Sequence, residues 1–504
     1  MRRRQFLNKS IIATGSLLRL GQERKSQPYL ANGLTSDQKK KSQRGEEPAN
    51  AQIFSWRDIS RGFPKSVSPD YHHAPESVVE AWKDQKFGIR IHWGLYCLMG
   101  GDASWCLPYS SKEFQSIYNT LYEFYNPTDF DADAWMDLFQ RAGAKFFTFT
   151  TKHHEGFCMW PTQTVVKSIK RAPHGLSFFP KHGPNFEDCL INYSVMDTPY
   201  GKDIVGAVVK AARKRGLGIG LYYSHVDWHD PAFAWDPYNI YYDPNFTKHS
   251  NPKRWQTFID HERDQVRELM TWYGPIDLLC FDIAWPEAAS KEIAEIAMMV
   301  RKLQPNVLMR QRGIGPYGDF YTPEATIPGG FSKGNWMVIY PGGQAFSYLP
   351  NDIYKPREWV LESLIDIVAK GGNFEVGYGP MPNGTWPQET IDRLTYVGDW
   401  LNVNGEAIYA TRTWKVYKEG SDIRFTRSKD NQYLYAISLK WPGNKFEVKS
   451  VRAVPGSPVY MLGIKKPLQW RQQGESLVIE IPSEVAENKP CQQAFAFKIR
   501  VAAD

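Results

Sequence analysis

Few cysteines, no long apolar run and no cofactor fingerprint set the first bounds on this sequence of 504 residues. The six cysteines (Cys97, Cys106, Cys158, Cys189, Cys280 and Cys491) contain no CxxC pair, which argues against a zinc ribbon. Several stand inside strand-like runs, where a thiol behaves as a small hydrophobe. Only Cys97 and Cys106 invite a bridge, and only in an exported protein. No segment is apolar enough to span a bilayer. No GxGxxG follows the first strand, against a dinucleotide-binding doubly wound sheet. No GxSxG marks a nucleophile elbow, and no HExxH marks a zinc hydrolase. The net charge of +7 is weak for this length and no basic stripe is present, so nucleic acid is not an expected partner. The expectation is an enzyme without metal or cofactor; nothing in the chain specifies its oligomeric state.

What is abundant is aromatic: 18 Trp, 27 Tyr and 27 Phe, or 14% of the chain. Most will be core, but flat apolar faces also hold sugar rings. The N-terminus pairs Arg3 and Arg4 with Gln5, Phe6 and Leu7, then an apolar stretch from Ile11 to Leu18 that Arg19 cuts short. This resembles a twin-arginine export signal, and the polar residues up to Asn50 read as a disordered tether. The expected location is therefore periplasmic or extracellular.

From about Gln85 strands and helices alternate. FGIRIHWG, KFFTFTTKHH, IGLYYSHVDWH, PIDLLCFD, NVLMRQRG and NFEVGYGP read as strands, with amphipathic segments such as GKDIVGAVVKAARKRGLG between them. Repeated units of this kind indicate a parallel α/β architecture, and polar or aromatic residues collect at the strand ends, as they do around a (β/α)8 barrel active site. After about Ala410 short alternating runs separated by turns predict an antiparallel β-sandwich. The expected organisation is a signal and tether over 1–50, a catalytic β/α barrel over 51–408 and a sandwich over 409–504.

The strand ends supply His92, His153, His154, Tyr222, Asp282 and Arg312. His153, His154, Asp227 and His229 have the chemistry of zinc ligands. Neighbouring strand residues point to opposite faces, however, so the two adjacent histidines cannot both aim inward without a bend. A carboxylate at a strand end, ringed by imidazoles and aromatic faces, suits a glycoside hydrolase better.

The blocks FGIRIHWGLY, FTTKHHEGFCMW, GLYYSHVDW, GDFYTPE and VGDWLNVNGEAIYATR, with the FD-x-x-WPE run, resemble the retaining α-L-fucosidase family from about Trp82 onward. The resemblance implies an exo-acting hydrolase that releases α-linked L-fucose from an oligosaccharide or glycoconjugate through a covalent glycosyl-enzyme. It also implies roles: Asp282 as nucleophile, His92, His153, His154 and Tyr222 holding sugar hydroxyls, Trp105 lining the pocket, Arg312 touching the sugar and Glu324 as acid/base. Arg312 beside Asp282 would keep the nucleophile ionised, and a desolvated Glu324 near another carboxylate would retain its proton. Glu324 lies on an irregular stretch, GPYGDFYTPEATIPGG, that reads as a loop, and Glu375, Glu287 and Asp319 compete with it for the acid; with Glu324 as the acid, Glu375 is expected to bind the sugar. Three departures stand out. Ser104 replaces a sugar-binding glutamate of the family, Cys280 replaces a tryptophan, and GGNFEVGYGP carries Glu375 and Gly377 where an apolar residue and an asparagine are usual. A carboxylate lost at one strand end and gained at another fits a reshaped pocket, so the same mechanism on α-L-galactose is an alternative. A non-catalytic carbohydrate-binding relic is another.

Overall fold

The computed structural model describes residues 66–108, 110–171, 186–233, 238–282 and 289–502. The export signal, the tether and Glu287 lie outside these.

Among the described residues nine strands belong to the first architecture: β1 (Phe87–Ile91), β2 (Phe146–Lys152), β3 (Val166–Arg171), β4 (Phe186–Ile191), β5 (Gly218–Ser224), β6 (Leu278–Asp282), β7 (Leu308–Met309), β8 (Met337–Pro341) and β9 (Asn373–Tyr378). Seven of them make a sheet in the order β7-β6-β5-β2-β1-β9-β8, every pairing parallel, while β3 and β4 form a separate hairpin after β2. β1, β2, β5 and β9 are buried along their whole length, as strands covered on both faces must be. Helices Ala132–Arg141, Ile204–Lys214, Pro252–Trp272, Ser290–Leu303 and Arg357–Ala369 precede β2, β5, β6, β7 and β9. Asp131 and Asp203 cap two of them by accepting from Ala134 N and Gly206 N.

The open edges of the sheet are joined by an irregular stave over 320–324. Single parallel bridges link Arg310 to Phe320, Tyr321 to Trp336 and Glu324 to Ile339. Its carbonyls accept from Gln311 N at 2.8 Å on one side, and from Met337 N at 3.1 Å and Ile339 N at 3.0 Å on the other. Pro323 has no N–H to offer the ladder, which breaks its regularity. The sheet therefore curls into a (β/α)8-like barrel with Glu324 on a stave, where the sequence pattern predicts a loop. Inside, Phe146, Tyr222, Leu278, Cys280, Leu308, Phe320, Met337 and Ile339 pack together with Trp82.

The C-terminal part is antiparallel. Thr411–Arg412, Ile423–Ser428, Tyr433–Ser438, Phe495–Arg500 and Tyr460–Met461 form one sheet; Lys445–Val448, Ser476–Glu480 and Trp470–Gln473 form another. Alternate residues of both turn inward, with Phe446 stacked on Phe497 at 4.2 Å. Among the described residues no helix is long and apolar enough to cross a membrane. Cys97 and Cys106, on separate 3-10 turns, are free thiols rather than a disulfide.

Candidate active site

Asp282 is the last residue of β6. Its Oδ2 accepts a 2.6 Å hydrogen bond from the Tyr222 hydroxyl, and its Oδ1 faces Arg310 Nη2 at 3.0 Å and Arg312 Nη1 at 3.3 Å. Burial alone pushes this carboxyl up. Arg310 and then Arg312, with His154 and the Tyr222 hydroxyl, outweigh burial and hold it well below the usual carboxylate range. The same Arg312 Nη1 pairs with Glu324 Oε2, so one nitrogen joins both carboxylates. Asp282 and Glu324 each remain 14% exposed at the side chain, open enough to meet a ligand.

β2 ends at Lys152, and its pairing with β5 shifts register between Thr150 and Lys152. That irregularity is the bend the two histidines require: the rings of His153 and His154 lie side by side, centroids 3.9 Å apart. His153 Nδ1 is hydrogen-bonded to Ser104 Oγ, and His154 Nδ1 to Ser224 Oγ at 2.6 Å. Burial lowers His92 and His153 well below the usual imidazole range and His154 to about 4, so all three are neutral at pH 7. Trp105, 47% exposed, stands at the rim with its ring 5.0 Å from His154 and 5.7 Å from Trp228. The zinc alternative loses its ligands. Asp227 is committed to Lys152 Nζ at 3.1 Å and to the backbone of His229 and Asp230, and the His229 ring stacks on Tyr193. No cluster of three metal-ligating side chains occurs among the described residues. Gly156 in KHHEGF adopts φ +83°, and a Cβ there would come within 2.2 Å of Asp227, so this turn requires glycine.

The rival acids separate by position. Asp319 is held by Arg301 Nη2 at 2.7 Å, Met309 N at 2.8 Å and Ala74 N at 3.0 Å, which makes it a structural clamp. Glu375 is not at a strand end: it is the third residue of β9, fully buried, and its Oε2 accepts from Arg90 Nε at 2.9 Å. Arg90, on β1 beside β9, turns into the barrel and needs a counter-charge there. Glu375→Gln should therefore act on stability, not on substrate affinity. Leaving Arg90 unpaired should cost about 3–5 kcal/mol in denaturant unfolding, whereas Arg90→Met with Glu375→Leu should recover most of that loss.

Three residues that matter were not singled out from the sequence. Arg90 and Arg310 approach the Tyr222 ring at 5.6 and 5.7 Å and so fix the hydroxyl that meets Asp282. Alternation along the strands could have found both, since Arg90 shares a face with His92 and Arg310 with Arg312. The third, Phe346, stacks on His92 at 5.1 Å. A side chain at Gly377 would strike its ring at 2.4 Å, so the glycine departure makes room for it.

Glu155, next to the histidine pair, is 1% exposed, and burial pushes it up to about 8 against its backbone and Ser104 contacts. A carboxyl raised on folding stabilises fully below its unfolded value near 4.5 and loses that contribution as pH rises through about 8. Stability should therefore fall by on the order of 4–5 kcal/mol from this group across that window, and Glu155→Gln should flatten the decline in unfolding free energy against pH.

Comparison with known proteins agrees with this geometry. Residues 63–175 and 183–406 match the model of the α-L-fucosidase family, and 418–500 match the α-L-fucosidase C-terminal domain. The tissue α-L-fucosidase of Mus musculus is 26% identical over 86% of this chain and 95% of its own length. Among solved structures, α-L-fucosidase isoenzyme 1 from Paenibacillus thiaminolyticus aligns at TM-score 0.69 with 25% identity, covering 85% of this chain and 99% of its own. The Thermotoga maritima α-fucosidase in complex with fucose aligns at TM-score 0.66 with 26% identity, covering 86% and 100%.

Proposed function

The chain belongs to the α-L-fucosidase family, and from that premise we propose that it is an exo-acting retaining hydrolase that releases α-linked L-fucose from oligosaccharides or glycoconjugates. The observation that carries the mechanism is the single Arg312 nitrogen in contact with both Asp282 and Glu324. Oxygens that share a partner atom lie close together, which supports the roughly 5–5.5 Å spacing of retaining pairs over the about 6.5–9.5 Å that leaves room for an inverting water. Asp282, kept ionised by Arg310 and Arg312, attacks the anomeric carbon while Glu324 protonates the departing glycosidic oxygen. The resulting ester is then cleaved by water that gives its proton to Glu324, and two inversions leave the configuration unchanged. Tyr222 orients the nucleophile from the barrel side. His92, His153 and His154, neutral and able both to donate and to accept, hold sugar hydroxyls, and Trp105 closes the rim. Glu375 acts from beneath, through Arg90. The barrel over 51–408 carries the chemistry and the sandwich over 409–504 supports it. The arginine pair at the N-terminus directs export to the periplasm or beyond.

One observation favours a second reading. Ser104 stands where the family places a glutamate, and Phe346 fills the space above Gly377, so the pocket wall differs on two sides. This supports the same mechanism on a related sugar such as α-L-galactose. Retention of both carboxylates argues against a binding relic. Hydrolysis of nitrophenyl α-L-fucoside beside α-L-galactoside and β-D-galactoside decides: the α-L-fucoside should have the highest kcat/KM. A preference for α-L-galactoside would transfer the assignment, and no turnover of any would refute it.

A further inference from the structure

A cavity of about 240 Å³ lies at the other end of the barrel from Asp282, lined by Glu80, Lys83, Lys86, Trp336, Lys370 and Arg412 among others. Lys86 and Trp336 immediately precede β1 and β8, and Lys370 follows helix Arg357–Ala369. Arg412 comes from the first strand of the sandwich, Thr411–Arg412. Four basic side chains thus converge where the barrel floor meets the C-terminal domain.

Three of the four are already engaged. Lys83 Nζ pairs with Glu80 at 2.9 Å, and Arg412 spans Glu80 at 2.6 Å and Asp84 at 2.7 Å. Lys370 holds Asp366 and the Pro328 carbonyl. Lys86 differs: the residue is 1% exposed and lines the cavity, and its ammonium makes no hydrogen bond or ion pair among the described residues. An ammonium largely withdrawn from water, with no protein acceptor and only the cavity before it, is costly unless it loses its proton or gains a partner. Burial, then the neighbouring Arg412, push Lys86 down to about 7; Asp84 and Glu80 pull the other way without making contact, and Lys83 adds to the repulsion.

We propose that this cavity binds an oxyanion (a sulfate, phosphate or carboxylate group) with Lys86 as its buried donor and Arg412 and Lys83 at its edge. Such an anion supplies the acceptor Lys86 lacks, and it ties the helix Glu76–Gln85, the start of β1 and the first sandwich strand together. Phe331, half-exposed at the cavity's edge, gives it an apolar side on which the remainder of a larger anionic ligand rests. Binding charges the amine, so ligand and proton enter together. The site is independent of the hydrolytic assignment.

Isothermal titration with sodium sulfate at pH 8 and constant ionic strength, in two buffers of different ionisation enthalpy, tests it on the full chain. Sulfate does not titrate near this pH, so buffer-dependent heat reports the protein. The expected result is saturable binding with uptake of roughly one proton per sulfate. Lys86→Met should weaken it at least tenfold and leave glycoside hydrolysis unchanged. A parallel titration with galactose 6-sulfate separates the sources: tighter binding assigns the site to a sugar-borne sulfate, equal or weaker binding to the free ion. Absence of saturable heat, binding without proton uptake in the unsubstituted protein, or equal affinity in Lys86→Met would overturn the proposal.

Discussion

Asp282→Asn is expected to fold normally and to lose several orders of magnitude in kcat/KM, more than about 4 kcal/mol of barrier. The amide keeps the shape and can still accept from the Tyr222 hydroxyl, but it has no negative charge with which to attack. It also leaves Arg310 and Arg312 facing a neutral group where the carboxylate now lies at 3.0 and 3.3 Å. Azide, an anion small enough to occupy the vacated charge, should restore turnover of a nitrophenyl glycoside. The product of that rescue should be a glycosyl azide of inverted configuration, because one displacement replaces two. Retention of a tenth or more of the original rate would remove Asp282 from the mechanism.

Glu324→Gln should produce a loss that depends on the leaving group. A positioned acid contributes roughly 10²–10⁴-fold, and the full factor is felt only when the departing oxygen is basic. Natural and alkyl glycosides should therefore slow by that amount. Nitrophenyl or fluoride donors should still glycosylate Asp282 readily and then stall, since the ester is left without a base. A burst of released nitrophenol followed by slow steady turnover is the signature in stopped-flow measurements. Near-normal kinetics in this variant, with the leaving-group dependence appearing instead on substitution of another carboxylate, would move the acid off Glu324.

The parts of this account that were legible in the sequence are those that local periodicity controls. Strand ends and the switch from helical to alternating texture near Ala410 follow from apolar spacing alone, and the chain folds accordingly. The positions of Asp282 and the histidines were legible because each terminates or follows a buried run, while Tyr222 lies inside its own, two residues before the end of β5. What escaped depends on closure of the barrel. Arg90 and Glu375 are 285 residues apart, and only when β1 pairs with β9 does a charge on one strand require a charge on the other. Without that pairing Glu375 resembles a pocket residue; with it, the carboxylate neutralises an arginine under the floor. Glu324 escaped as a stave residue for a different reason. Its segment GDFYTPE contains a proline and only single bridges, so it carries no strand period although it completes the barrel. The side-by-side histidines depend on a register shift in β2, a backbone irregularity that strict alternation cannot anticipate.

The central claim is that a sugar becomes covalently attached to Asp282. A 2-deoxy-2-fluoro-α-L-fucosyl fluoride slows both steps by destabilising the positive charge that develops at the anomeric carbon, while its good leaving group lets the first step proceed. Incubation followed by intact mass and peptide mapping should find one fluorofucosyl group per chain, on the peptide containing Asp282, with loss of activity in step with labelling. A label on any other carboxylate, or full activity with no label, would contradict the account.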